Sequence, residues 1–125
     1  MATIYTSISG IKELKGIIEK NTGLVIISFR APWCEPCKRV TPLIDNHLAN
    51  PPTAGGITSY VINIDECIQI YMELKRMRIL SGVPSIICYK AGNINFYPED
   101  SVIGSDETEI VKFFERCSKL LETVV

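Results

Sequence analysis

Two cysteines three residues apart, Cys34 and Cys37, stand between an apolar run and a segment of helical periodicity. The run Leu24–Phe29 is apolar and rich in β-branched residues apart from Ser28, which is typical of a strand buried on both faces. After Pro36, apolar residues recur at the spacing of one helix face: Val40, Leu43, Ile44 and Leu48. The pattern therefore predicts that the pair lies where a central strand ends and a helix begins.

The rest of the chain shows alternating strand and helix patterns. A weak strand at Ala2–Thr6 and a helix over residues 9–20 precede the central strand, and the Pro- and Gly-rich segment 50–56 predicts a surface loop. Beyond this loop the patterns predict a strand at Ser59–Ile64, a helix from Cys67 to Met77, strands at Ser85–Tyr89 and Ile94–Tyr97 joined by the turn Lys90–Asn93, and a final helix capped by Asp106. The order βαβαβαββα predicts an α/β fold in which parallel strands lead into an antiparallel hairpin.

Length and charge exclude several classes of protein. A chain of 125 residues predicts one domain, residues 1–125. The net charge of −1 leaves no basic excess for a phosphate backbone, so nucleic acid is not an expected partner. The N-terminus lacks the pattern of a secretory signal, and no apolar run approaches the ~20 residues of a membrane helix. We expect a cytoplasmic monomer that does not contact a membrane.

The cysteine count, five, is odd and argues against a framework of permanent disulfides. Cys67 and Cys117 fall on apolar helix faces and Cys88 falls in a strand, so we expect buried core thiols. A regulatory disulfide or a dimer through one of these three cysteines is the alternative.

The Cys34–Cys37 pair occupies a predicted helix N-terminus, where free N–H groups and the helix dipole favour the thiolate of Cys34. Pro36 suits the first helical turn because its missing N–H is not needed there. The same spacing also forms half of a zinc site. Since His47 and the three isolated cysteines supply no second close pair, we expect no metal.

The segment Phe29–Lys38, FRAPWCEPCK, resembles the active-site segment of the thioredoxin superfamily, whose commonest form contains WCGPCK. Four further matches occur in the family's order: Pro42, Asn63-Ile64-Asp65, Gly82-Val83-Pro84 and Gly104. The resemblance covers nearly the whole chain. It implies the thioredoxin fold, in which helices flank a central mixed sheet on both faces.

The resemblance also implies a function, that of a thiol–disulfide oxidoreductase of the protein disulfide reductase type. Cys34 would be the attacking nucleophile and Cys37 the resolving thiol. The substrate groove would be lined by Trp33, Val83, cis-Pro84 and Gly104. Implied partners are protein disulfides and an electron donor such as a thioredoxin-reductase-like enzyme, with no cofactor beyond the Cys34–Cys37 disulfide.

Three residues near the pair depart from the family pattern. Glu35 replaces the usual glycine and places a carboxylate beside the nucleophile, where like charge disfavours the thiolate. Arg30 replaces a frequent aromatic residue, which favours acidic or polar partners at the groove rim. Ser28 replaces a buried carboxylic acid that is thought to accept the proton of the resolving thiol. We therefore expect slower resolution, or resolution through water or Glu35.

Other functions compete with the reductase interpretation. The departure at Ser28 favours a thioredoxin-like binding or assembly module with weak redox turnover, whereas the intact pair favours an enzyme. A pair with only a structural role is a further alternative. Oxidase or isomerase activity would differ from reductase activity in redox poise, which depends on the folded environment of the thiols.

Overall fold

The protein is described by a computed structural model that covers residues 3–53 and 55–124. Its elements are β1 (Ile4–Tyr5), α1 (Ile11–Glu19), β2 (Leu24–Arg30), α2 (Glu35–Ala49), β3 (Ile57–Asn63), α3 (Ile68–Arg76), β4 (Ser85–Lys90), β5 (Asp100–Ile103) and α4 (Glu107–Glu122). This is the predicted order. Ala2 of the predicted first strand and Ala54 of the predicted loop lie outside the described residues.

The five strands form one mixed sheet in the order β1-β3-β2-β4-β5. β1, β3 and β2 run parallel, and β4 and β5 add in antiparallel fashion. The central strand β2 pairs along its whole length with β3, and from Leu24 to Phe29 with β4. Its position in the middle of the sheet accounts for its nearly unbroken apolar run.

The sheet separates two apolar cores, because alternate residues of a strand point to opposite faces. Val25, Ile27 and Phe29 of β2 pack with α1 and α3. Leu24 and Ile26 pack with α2 and α4 on the other face. The predicted α/β fold with helices on both faces is confirmed.

One strand prediction is wrong. The last strand is Asp100–Ile103, and residues 94–97 belong to the connection that precedes it. The side chain of Asn93 accepts a hydrogen bond from the backbone N–H of Asn95 at 2.7 Å, and such local turns compete with strand pairing. Phe96 packs on the α1/α3 core, while Ile94 stays exposed. The apolar alternation of 94–97 thus reflects one anchored residue in a loop.

Candidate active site

Cys34 is the N-cap of α2, and its sulfur accepts a hydrogen bond from the backbone N–H of Cys37 at 3.2 Å. The two cysteines form a disulfide, with their Cα atoms 5.2 Å apart. Pro36 lies in the first turn, where the helix needs no N–H from it. The predicted location of the pair, between β2 and the start of α2, is confirmed.

The loop before β4 lies against the pair. The Val83–Pro84 peptide bond is cis, as predicted, and the Val83 carbonyl oxygen is 3.7 Å from Cys34 Sγ. Gly104 donates its backbone N–H to the Pro84 carbonyl at 2.9 Å and has a φ of 105°, a conformation that favours glycine. Three segments that are far apart in sequence, at Cys34, at Val83-Pro84 and at Gly104, are therefore brought together.

Trp33, beside the nucleophile position, is one of the most exposed large side chains, with 63% of its surface accessible. Its indole Nε1 donates to Asp65 Oδ1 at 3.1 Å. Because Asp65 follows the carboxyl end of β3, it holds the ring beside the cysteines. The sequence matched Asp65 to the family but did not identify it as the partner of Trp33.

Arg30 and Ser28 are linked below the pair, on the side of β2 that faces α2. Arg30 forms two hydrogen bonds with the carboxylate of Asp45, at 2.8 and 3.2 Å, and a third to the Ser28 hydroxyl at 3.3 Å. The Arg30 side chain is 17% exposed and that of Asp45 47%. The guanidinium is thus bound to a carboxylate and a hydroxyl of its own chain. Asp45 was not identified from the sequence.

Glu35 points its carboxylate at Lys38, with 3.1 Å between Oε1 and Nζ. Both side chains are largely exposed. Arg39 donates to the Ser105 hydroxyl at 2.9 Å and joins α2 to the segment before α4. Arg30 and Lys38 are thus each paired with a carboxylate, whereas the partner of Arg39 is an uncharged hydroxyl.

The three other cysteines and the single histidine have packing roles. Cys67, Cys88 and Cys117 are buried free thiols, in agreement with the packing role expected for them. His47 stacks on Phe114 with ring centroids 4.4 Å apart and planes at 6°. It therefore packs between α2 and α4, as a histidine on that helix face is expected to do.

Two kinds of site are not found in residues 3–53 and 55–124. No group of three or more His, Cys, Asp or Glu side chains there has an arrangement suited to a metal ion. Each helix in these ranges is also too short or too polar to span a bilayer.

Comparison with known proteins gives consistent results. Thioredoxin from Chlamydia pneumoniae is 36% identical over 72 residues, which are 58% of this chain and 64% of that protein. The chloroplastic thioredoxin M2 of Arabidopsis thaliana is 34% identical over 71% of this chain, but the match spans only 42% of its own length. The crystal structure of Malassezia sympodialis thioredoxin superposes with a TM-score of 0.69 at 21% identity, covering 94% of this chain and 96% of that one. The Thioredoxin family model matches residues 8–116. The chain therefore belongs to the thioredoxin family of thiol–disulfide oxidoreductases.

Proposed function

We propose that this chain is a protein disulfide reductase in which Cys34 attacks and Cys37 resolves. The observation that carries the proposal is the closed Cys34–Cys37 disulfide at the N-terminus of α2, where the Cys37 N–H already contacts the Cys34 sulfur. The same N–H stabilises a thiolate at Cys34 once the disulfide is reduced.

The reaction begins with the reduced chain. The Cys34 thiolate attacks one sulfur of a substrate disulfide, forms a mixed disulfide and expels the other substrate sulfur as a thiolate that takes up a proton. The Cys37 thiol then loses its proton, and its sulfur attacks Cys34 Sγ and releases the second substrate thiol. The substrate gains two electrons and two protons, and the chain is left in the oxidised form seen here.

The substrate groove consists of Trp33, Val83, Pro84 and Gly104. Trp33 offers an exposed aromatic face, and the Val83 backbone lies next to Cys34. An extended substrate segment would pair with the Val83 backbone in the manner of an added strand. The Gly104–Pro84 hydrogen bond holds the far side of this groove in place.

Resolution is the step for which Ser28 matters. Ser28 is buried and its hydroxyl cannot serve as a base near neutral pH. The Glu35 carboxylate is exposed and paired with Lys38, so it is a poor substitute acceptor. We propose that water accepts the proton that the Cys37 thiol loses, and that Ser28 and Arg30 affect the rate of this resolution step.

The partners we propose are protein disulfides and a reductase that returns two electrons to the Cys34–Cys37 disulfide, without a further cofactor. The cytoplasm is the proposed compartment and a monomer the proposed state. Three buried free thiols support a reducing compartment.

The second candidate is a binding module that turns over weakly, which the serine at position 28 favours. Reduction of the insulin disulfides with dithiothreitol as electron source separates the two functions. A reductase accelerates the reaction well above the rate with its Cys34→Ser variant. It also accumulates a mixed disulfide when Cys37 is replaced by serine. Equal rates for the wild type and Cys34→Ser would contradict the enzyme and favour the module.

A further inference from the structure

Two of the buried thiols lie in the same apolar core, on the face of the sheet opposite α1 and α3. Cys88 lies in β4 and Cys117 in α4, and both belong to the apolar core that α2 and α4 cover. In the sheet, Cys88 is paired with Ile26 of β2 on one side and with Asp100 of β5 on the other. Cys88 therefore lies in an interior strand, and its side chain is on the face of the sheet covered by α4, the helix that carries Cys117.

An ion pair holds α4 over this point. Arg116 Nε and Nη2 donate to the two carboxylate oxygens of Asp100, at 2.6 and 3.0 Å. Since Asp100 is the cross-strand partner of Cys88 and Arg116 precedes Cys117, this ion pair joins β5 to α4 next to the two thiols. The neighbouring Cys117 side chain, together with burial, raises the pKa of the Cys88 thiol.

A cavity of about 230 Å³ is lined in part by one of the two cysteines. Its walls include Cys117, Ile26, Phe114 and Pro52, with His47 beside them, whereas Cys88 is not among its lining residues. A water molecule occupies only ~30 Å³ of liquid, so a molecule of the size of hydrogen peroxide fits the space. A small uncharged oxidant therefore reaches Cys117 first, and Cys88 lies behind it.

We propose that Cys88 and Cys117 are a second redox-active pair, which a peroxide oxidises to a disulfide between β4 and α4. In the first step the Cys117 sulfur attacks one peroxide oxygen, the O–O bond breaks, and Cys117 sulfenic acid and one water form. In the second step the Cys88 sulfur attacks the sulfenic sulfur. The S–O bond breaks, and the hydroxide leaves with the Cys88 proton as a second water. The two thiols lose two electrons and the peroxide gains them.

The raised pKa of Cys88 fits this order of events. A thiol held in the protonated form is a poor first nucleophile, and the open side of the pair belongs to Cys117. The second step is intramolecular, so the proximity of Cys88 compensates for its low thiolate fraction. The pair works independently of Cys34 and Cys37, which lie at the other end of β2.

Peptide mapping of the full chain tests the proposal without any variant. The reduced wild type, freed of reductant, is treated with hydrogen peroxide, its remaining thiols are alkylated, and it is digested with trypsin under non-reducing conditions. Cleavage after Lys and Arg places Cys88 in peptide 79–90, Cys117 in 117–119, Cys67 in 40–75 and the active-site pair in 31–38. We expect peptides 79–90 and 117–119 to be linked, in a yield that does not change when the protein is diluted tenfold.

Variants then test the order of the steps. In Cys88→Ala we expect Cys117 to accumulate a sulfenic acid that dimedone traps, while Cys67→Ala, the matched control, still forms the link. A double Cys88→Ala, Cys117→Ala variant should keep the insulin-reducing rate of the wild type. The absence of the 79–90 to 117–119 link in oxidised wild type overturns the proposal. A link that forms only at high protein concentration overturns it as well, because it then joins two molecules.

Discussion

The Arg30–Asp45 pair ties the end of the central strand to the helix that begins at the cysteines, and its contribution to stability can be measured by a double-mutant cycle. Two unit charges ~4 Å apart interact by about 4 kcal/mol at an effective dielectric constant of about 20. Asp45 is nearly half exposed, and exposed pairs are worth only about 0.2–1 kcal/mol after screening. The bidentate geometry and the mostly buried Arg30 raise the expected coupling to about 1–1.5 kcal/mol.

We expect Asp45→Asn to lower the free energy of unfolding by at least that coupling, which corresponds to a fall in Tm of about 4–6 °C for a domain of this size. Urea unfolding of the reduced wild type, Arg30→Gln, Asp45→Asn and the double variant gives the coupling directly. The matched control is the Glu35–Lys38 pair, which is exposed on both sides and should couple by only about 0.3–0.5 kcal/mol. A coupling for Arg30–Asp45 no larger than the control value would refute the reasoning.

Three further predictions follow from single residues. Replacing Ser28 with Asp supplies a proton acceptor, so the mixed disulfide should resolve several-fold faster in a stopped-flow assay; an unchanged or longer lifetime would argue against a role for this position. Gly23→Ala should destabilise the chain by about 1–3 kcal/mol, because a Cβ there collides with the Gly56 carbonyl. Gly16→Ala, in an open helix position, should stabilise it by about 0.5–1 kcal/mol. Chemical denaturation measures both changes in the free energy of unfolding, and two changes of the same sign would contradict the prediction. Burial raises the pKa of Tyr89 above its ordinary value of about 10. The Tyr89 phenol therefore ionises at a lower pH in the unfolded chain than in the folded one, and the free energy of unfolding falls as the pH rises above about 10. Tyr89→Phe should flatten this alkaline loss, and an unaltered slope would exclude Tyr89 as its source.

The fold was predictable because the apolar periodicity, the helix cap and the position of the cysteine pair all indicate the same order of strands and helices. β2 shows the apolar run of a fully paired strand, and the cysteine pair follows it at the start of a helix. The predicted cap of α4 is confirmed, since Asp106 accepts a hydrogen bond from the Glu109 N–H at 3.2 Å. Periodicity and capping are local properties, and they determined these elements.

The parts that the sequence did not predict depend on contacts between distant residues. The strand expected at 94–97 was misassigned because asparagine side chains close local turns there, and the strand begins instead at Asp100. Asp45 lies two helical turns beyond Cys37, and nothing in its neighbourhood indicates that Arg30 will reach it. Asp65 as the partner of Trp33 is equally non-local. Side-chain pairing across elements requires the register and helix placement that only the structure supplies.

The Ser28 hydroxyl has a hydrogen-bond partner, but no group beside it takes over the proton-accepting role of the carboxylic acid usual in the family. The Ser28 hydroxyl accepts a hydrogen bond from Arg30, so no buried polar atom is left without a partner there. Arg30 has donors only and cannot take a proton from a thiol. Asp45 could accept one, but both of its oxygens are bound to Arg30, and it lies beyond the guanidinium from Ser28. The groups below the cysteines therefore offer no free acceptor for the proton of Cys37. We therefore expect the rate of the proposed resolution step to depend on how readily water reaches the Cys37 thiol.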